Sequence, residues 1–481
     1  MNFSSVNVII LYFCIALRNL LFILFSIISL SLVSQDEYGL ALSNYSPTTT
    51  VFHNPTNVLD NRTYLDIHLI GAGTFVQNDF LYMKGTQFSF LNNILLGQSW
   101  PDFQYDFSDK LKSGYQNSDI QLLSGTFQYK EHGFALTSRV RNFLDFRRIP
   151  TSVSKLVRNG TGGYDGLYNQ VFIADRMYVN QMSYLEIGGT YSNAFYHFDH
   201  DLLAVGGSIK YLIGISGAGI KIDELEFNVV DPALTRIFRY KGSMNYAAGF
   251  NSGSGVGMDL GLMYKKTLSN VTYYNPFSKN SACEPYDYKF KIGVSIIDLG
   301  YIKFKKEATA ISVDSEISDA QLSGDEFTFE NFGNFAQDQF DNVTLENEFT
   351  LLIPTALNIQ ADYNFENYFY ASGQYTHGFF RRVGMGVQRP HVLTLSGRYE
   401  RRWFEASLGA SAYNFNDIRT GLAFRVMYFT IGTDNLGSML GVSDFYGTDL
   451  YFNLRFFLTS KPGCKRRHKK SRRNETRCVK N

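Results

Sequence analysis

The stretch LNIQADYNF (residues 357–365) decides how this chain is read. Leu357, Ile359, Ala361, Tyr363 and Phe365 fall on one side of an extended strand; Asn358, Gln360, Asp362 and Asn364 fall on the other. Successive strand side chains point to opposite faces, so this segment has one apolar and one polar face. The pattern recurs from about residue 63 to 458. In WFEASLGASAY (403–413), Phe404, Ala406, Leu408, Ala410 and Ala412 oppose Glu405, Ser407, Gly409, Ser411 and Tyr413. In the last such segment Leu450, Phe452, Leu454 and Phe456 oppose Tyr451, Asn453 and Arg455.

A soluble sandwich and a membrane barrel both alternate. Three features favour the barrel. Segments run about 9–12 residues, the length a tilted membrane strand needs. They come in pairs joined by short links such as NFENY (364–368) and YERRWF (399–404), and Tyr and Phe gather at their ends, as in an interfacial girdle. Backbone amides in lipid must all be paired, so such strands have to close. The expected fold is all-β, a transmembrane antiparallel β-barrel of about 12–16 strands, an even number returning both ends to the periplasmic side.

Composition agrees. Among 481 residues there are 42 Phe, 32 Tyr and 41 Gly, which suits strands and tight turns. Charged residues are 19%, below a usual soluble domain, yet mean hydropathy is only −0.15, too low for a helical membrane bundle. The net charge of +1 hides a division. Thr459 to the end carries ten Lys/Arg and one Glu, so the body before it is acidic.

Residues 1–34 read as a signal peptide: Arg18 supplies the charge, Leu20–Ile28 the apolar core, and cleavage falls near Ser34–Gln35. An uncleaved inner-membrane anchor is the alternative. The barrel is expected over 35–458. Two segments within it do not read as lipid-facing strands. Residues 80–118 include a short apolar helical run near Phe88–Leu96, a candidate plug or cap. Residues 312–348 hold ten Asp/Glu and no Lys/Arg, read as a solvated acidic extracellular loop.

Several blocks together resemble a Bacteroidota family of outer-membrane barrel proteins of unknown function. They are SNYSPTTTVFHNPTNVLDNRTYLDIHLIGAG (43–73), LAVGGSIKYLIG (203–214), GMDLGLMYKK (257–266), FKIGVSIIDLGYIKFKK (290–306), LLIPTALNIQADY (351–363), RYERRWFEASL (398–408) and FTIGTDNLGSMLGVSDFYGTDLYFNLRF (429–456). The resemblance implies a signal peptide, a barrel and an outer-membrane location in a Gram-negative, Bacteroidota-like bacterium. Many members continue into an OmpA-like peptidoglycan-binding domain. This sequence has only its basic tail there, so that anchoring is not carried over. The resemblance supplies no activity.

Candidate site residues follow from charges placed on the polar face. Arg139 and Arg141 point inward in SRVRNFLDFRR, with Arg147 and Arg148 beyond. Arg381, Arg382, Arg389, Arg398, Arg401 and Arg402 lie further along. Lumen arginines can select anions; the inward acids Asp362, Glu400 and Glu405 can instead pair with Arg139, Arg141 and Arg398 as a structural network, the preferred reading. FHNPTNVLDNR (52–62) reads as a turn setting the register of the first strand, with a binding role for His53 or Arg62 as the alternative. YHFDHD (196–201) offers His and Asp of a kind that suits zinc or copper, but reads better as a polar hairpin tip. With no GxSxG, HExxH, GxxxxGK[ST] or fitting GxGxxG, neither an enzyme nor a cofactor or metal is expected.

In the tail, Lys465, Arg466, Arg467, Lys469, Lys470, Arg472 and Arg473 are expected to dock on anionic partners in the periplasm. Outer-membrane lipid, an anionic cell-wall polymer and an acidic periplasmic protein all fit; nucleic acid does not, given the signal peptide. Cys464 and Cys478 bracket the run, where a disulfide and two free thiols are both open. The function expected is solute passage or binding across the outer membrane. The alternative is a structural envelope or surface-machinery component docked through the tail.

Overall fold

The structure, a computed structural model, describes residues 39–59, 61–85, 89, 93, 102–159, 168–231, 234–271, 287–322, 332–379, 385–415 and 417–459. The expected signal peptide, and the tail from residue 460 with Cys464, Cys478 and its docking residues, lie outside them.

Fourteen antiparallel strands form the wall. They are β1 Leu65–Asn78, β2 (Lys112–Gln121 continued by Ser124–Tyr129), β3 His132–Ile149, β4 Val171–Phe198, β5 Asp201–Asp231, β6 Leu234–Thr267 and β7 Tyr288–Phe304. They continue as β8 (Phe349–Leu352 with Ala356–Asn364), β9 Phe369–Gly378, β10 Val392–Glu400, β11 Phe404–Tyr413, β12 Asp417–Val426, β13 Phe429–Thr433 and β14 Asp449–Leu458. Each pairs with its sequence neighbour. β1 closes the ring on β14, with Leu65 opposite Leu458 and Phe75 opposite Asp449. Closure removes every sheet edge from the lipid.

The faces are inverted relative to a soluble protein. Leu136, Ile187, Ile209, Leu260, Leu262, Val294, Leu395, Leu408 and Ile418 are exposed on the outside, whereas Arg139, Glu186, Lys210, Asp259, Arg398, Glu405 and Arg425 are buried within. An apolar belt around a polar interior is the signature of a barrel standing in lipid. Leu408 is 61% exposed, so Leu408→Lys would be harmless in water. In lipid it is expected to cost about 2–4 kcal/mol. Urea titration of folding into lipid vesicles checks this.

Both chain ends of the wall lie at one rim, where links are mostly short, such as 130–131, 199–200, 401–403 and 427–428. Most links at the other rim are long: 79–111, 150–170, 305–348 and 434–448. Short turns are periplasmic and long loops extracellular. The wall is uneven. β8 from Ala356 to Asn364 and β9–β12 have 9–10 residues, enough to span; β4, β5 and β6 have 28, 31 and 34. Their outer halves rise beyond the membrane.

That height alters two expectations. The acidic stretch 312–348 is partly ordered rather than a plain loop. Ala308–Leu322 pairs with 235–247 of β6, and Val343–Glu346 adds to it. Ile311 and Val313, with Ala336 of the helix Phe332–Gln339 and Phe340 just after it, share an apolar cluster with Ile222, Phe227, Val229, Ile237 and Tyr240. The acid count masks those apolar residues. Residues 80–118 also divide: 112–118 are wall. The described part before them crosses the outer rim, with Leu81–Tyr82 paired to Gln104–Tyr105 and Tyr82 stacked on Tyr446 at 4.9 Å.

Candidate functional site: a plugged lumen

The lumen holds the segment 39–63, and its local structure follows from its sequence. Pro47 opens a single helical turn, Pro47–Thr50. Asn54 caps a second, Pro55–Val58, its side-chain oxygen accepting from the Thr56 N–H at 3.0 Å and the Thr56 hydroxyl at 2.7 Å. Proline first and Asn as cap are the residues that start short helical turns.

The segment is fastened to the wall on all sides. Ser43 donates to Glu405 on β11 (2.8 Å), Asn44 to Glu400 on β10 (2.9 Å) and the Thr48 hydroxyl to Asp66 on β1 (2.6 Å). The His53 carbonyl accepts from Ser295 on β7 (2.6 Å) and Asn358 on β8 (3.0 Å), and the Pro55 carbonyl from Ser192 on β4 (2.6 Å). Gln121 and Gln128 of β2 donate to the carbonyls of Thr48 and Val58 (2.8 and 3.1 Å). Anchors on so many strands place the segment across the barrel. The plug is therefore this N-terminal block, where a register-setting turn was expected; of the other candidate, residues 80–118, most of the apolar run Phe88–Leu96 lies outside the described residues.

Small wall residues make its seat. On β6 a side chain at Gly261 would overlap Asn54 Oδ1; on β7 a Cβ at Gly293 would stand 2.8 Å from Asn54 Nδ2. On β5 a Cβ at Gly206 would stand 3.0 Å from the Pro55 carbonyl carbon, and on β3 one at Gly133 would stand 3.0 Å from the Leu59 nitrogen. These glycines permit backbone to lie against backbone, which any side chain would prevent.

Two ionic networks flank the plug. In the upper one Arg139 meets Glu186 at 2.9 Å and Asp119 at 3.1 Å; Arg141 meets Asp298 at 3.0 Å. Lys210 lies 2.7 Å from both Asp259 and Asp298, and Arg389 lies 2.9 Å from Asp298. Four cations face four carboxylates. Asp298 sits at a bulge in β7 with φ +55°, which turns its carboxylate into the lumen, and its own N–H donates to Asp259 at 2.7 Å. In the lower network Arg398 meets Asp362 at 2.6 Å and Glu400 at 3.0 Å, while Arg425 meets Glu405 at 2.9 Å. Arg455 joins Asp66 at 3.3 Å.

All six sequence-selected charges thus point inward. Arg139 and Arg141 stand in the upper network, and Asp362, Arg398, Glu400 and Glu405 in the lower. The balanced pairing favours a structural network over an anion-selective ring, because no cation surplus faces an open path. Sequence reasoning missed Glu186, Lys210, Asp259 and Asp298. Three of these sit on polar faces of alternating strands and could have been found by listing every inward charge. Asp298 could not, since the bulge breaks the alternation around it.

Arg381 and Arg382 lie outside the described residues. Arg147 is at the outer end, paired with Asp145 at 2.6 Å. His53 holds the plug, its Nδ1 3.1 Å from Gln374, and Arg62 donates to Asp287 and, at 2.8 Å, to Tyr370. YHFDHD is the tip between β4 and β5: His197 is 3.6 Å from Glu131 and His200 bonds the Thr267 carbonyl at 2.9 Å. Among the described residues no three His, Cys, Asp or Glu gather as a metal site.

Above the upper network lies an apolar layer including Phe75, Phe143, Tyr184, Phe304, Leu351 and Tyr413. Over it a small cleft opens outward, lined by Arg147, Tyr178, Ile353, Phe379, Met385 and Val387 among others, and encloses about 30 Å³. That is water-sized.

The family described as "Family of unknown function (DUF5723)" matches residues 55–434, from inside the plug to the end of β13. The chain belongs to this family. No curated protein matches the chain. Among solved structures, a TodX deltaS2S3 mutant, a monoaromatic hydrocarbon channel, is similar at 10% identity with a TM-score of 0.43, over 85% of this chain and 93% of that one. The Pseudomonas putida toluene transporter TodX has 9% identity and a TM-score of 0.37 over the same shares. The ferric yersiniabactin receptor FyuA of Yersinia pestis has 8% identity and a TM-score of 0.18, over 82% and 68%.

Proposed function

We propose that this DUF5723 protein is a gated barrel of the Gram-negative outer membrane that passes or binds a small solute, with residues 39–63 as its gate. The observation that carries the reading is how the plug is held. Its apolar contacts are small satellite clusters of Leu40, Val51, Val58 and Leu59 against mostly small wall residues, and the rest of its seat is glycine and hydrogen bonds. Water can replace hydrogen bonds at small net cost, so such a segment can leave its place. The outer cleft is water-sized, so under this reading passage of a larger solute by that route requires the plug to move. The cleft joins Phe379, Met385 and Val387 to Arg147 and Tyr178, which suits a small, partly apolar solute. Binding and passage are proposed, not catalysis, and no cofactor enters the proposal.

Planar-bilayer recording tests this. Intact protein is expected to stay closed, and a chain lacking residues 39–60 to show stepwise conductance. A deletion variant that assembles and stays closed would contradict the gate. The second reading, a structural envelope component docked through Lys465–Arg473, draws on the filled lumen and the charge balance. It predicts that removing the tail abolishes docking to an anionic polymer or acidic protein while the barrel assembles. Under the first reading solute passage survives that truncation.

A further inference from the structure

The hairpin between β10 and β11 projects Arg401, Arg402 and Trp403 from the periplasmic rim. Its shape is set from inside. Buried Arg425 donates to the carbonyls of Arg401 (2.9 Å) and Arg402 (3.0 Å), and the Arg401 N–H donates to the Phe404 carbonyl at 2.7 Å. With its backbone fixed, the turn directs its own cations outward. The Arg401 guanidinium lies 4.5 Å over the Tyr368 ring and 5.5 Å from that of Tyr399; Arg402 lies 4.6 Å over Trp403. Trp403 in turn leans on Phe457 at 5.6 Å and Tyr428 at 6.0 Å.

Charge separates this corner from neighbouring turns. Lys266 is neutralised by Asp201 at 3.0 Å and Lys289 by Glu366 at 3.2 Å. Among the described residues neither Arg401 nor Arg402 has a carboxylate within ion-pair distance. The nearby acids Glu400 and Glu405 face inward, held by Arg398 and Arg425. Exposed Tyr368, Phe369, Trp403, Phe404, Phe429 and Phe456 surround the pair, at the level where strands leave the apolar belt.

We propose that Arg401 and Arg402, with Trp403 and Tyr368, seat the phosphate of an anionic phospholipid in the inner leaflet of the membrane. Ring stacking occupies the flat face of each guanidinium and leaves its N–H edge free. That edge matches phosphate oxygens two at a time. The aromatic rings sit where headgroup meets acyl chain. In sequence the basic run from Lys465 follows soon after Phe457, the residue on which Trp403 leans. The proposal rests on the transmembrane fold and is independent of gating.

Native mass spectrometry of the full chain in mild detergent tests it, with phosphatidylglycerol and phosphatidylcholine of identical acyl chains as probes. The wild type is expected to prefer phosphatidylglycerol; equal binding of the two lipids overturns the proposal without any variant. Arg401→Ser/Arg402→Ser is expected to bind phosphatidylglycerol about thirtyfold more weakly. Its mobility shift on boiling should be unchanged. A chain ending at Thr459 is expected to keep the preference. Undiminished binding by the double variant, or loss of the preference in the truncated chain alone, would overturn the assignment to this hairpin.

Discussion

Asp298→Asn is expected to leave the barrel largely unfolded in conditions where the wild type is stable. Arg141, Lys210 and Arg389 converge on this carboxylate at 2.7–3.0 Å, with Arg139 at 3.8 Å. The amide keeps the shape and removes the charge, leaving four cations facing three carboxylates in a space with almost no water. Breaking a buried pair in this way costs about 3–5 kcal/mol, because the uncompensated partners stay buried. That is a large part of the roughly 5–15 kcal/mol that holds a typical domain together. The measurement is the folded fraction against urea in lipid vesicles, read by gel mobility before and after boiling. Asp314→Asn is the control: its partner Lys241 is exposed, and the curve should not move. A wild-type curve for Asp298→Asn would show that the upper network is not a structural element.

Gly261→Leu is expected to expel the plug and leave the wall intact. The new side chain would occupy the place of Asn54, which cannot swing aside freely. Asn54 Nδ2 donates to the Leu262 carbonyl at 3.2 Å, and its oxygen holds both Thr56 donors. The wall cannot give way either, since β6 is bonded to β5 and β7 along this stretch. The plug has fewer constraints and moves. Bilayer recordings should show conductance steps absent from the wild type, with the same mobility shift on boiling. Gly397 points outward with nothing within 4 Å of a Cβ, so Gly397→Leu should remain closed.

The wall was legible because alternation is a local property of the chain, but strand breaks were harder to read. GISGAG (214–219) reads as a turn between two strands, yet it is a register shift between Gly214 and Ser216 inside β5. GFNSGSG (249–255) reads likewise and lies within β6, where Gly249 and Asn251 take positive φ and the strand continues. Glycine permits a bulge as readily as a turn, and only the neighbouring strands decide which forms. The opposite error occurs at Met427. The segment 419–431, with no Gly, Pro or Asn after Gly421, reads as one strand and conceals a tight turn in which Met427 has φ +52°.

The site was half legible for a related reason. Arg139, Arg141, Asp362, Arg398, Glu400 and Glu405 stand on regular strands, so their direction follows from parity. Which charge meets which depends on how fourteen strands stagger, and no short stretch records that. The plug was hidden further. Asn54-Pro55 and Asp60-Asn61 are turn formers in any setting. That they lie inside a barrel follows only from glycines more than seventy residues away on β3, β5, β6 and β7.

The most direct measurement of the plugged lumen is thiol accessibility at Thr56, which is fully buried. The four native cysteines would be replaced by serine, Thr56→Cys introduced, and the protein in lipid vesicles treated with a membrane-impermeant maleimide. No labelling is expected at position 56, rapid labelling when Gly261→Leu is added, and rapid labelling of Glu366→Cys at the exposed periplasmic turn throughout. Labelling of Thr56→Cys as fast as Glu366→Cys, without Gly261→Leu, would mean that residues 39–63 do not fill the barrel.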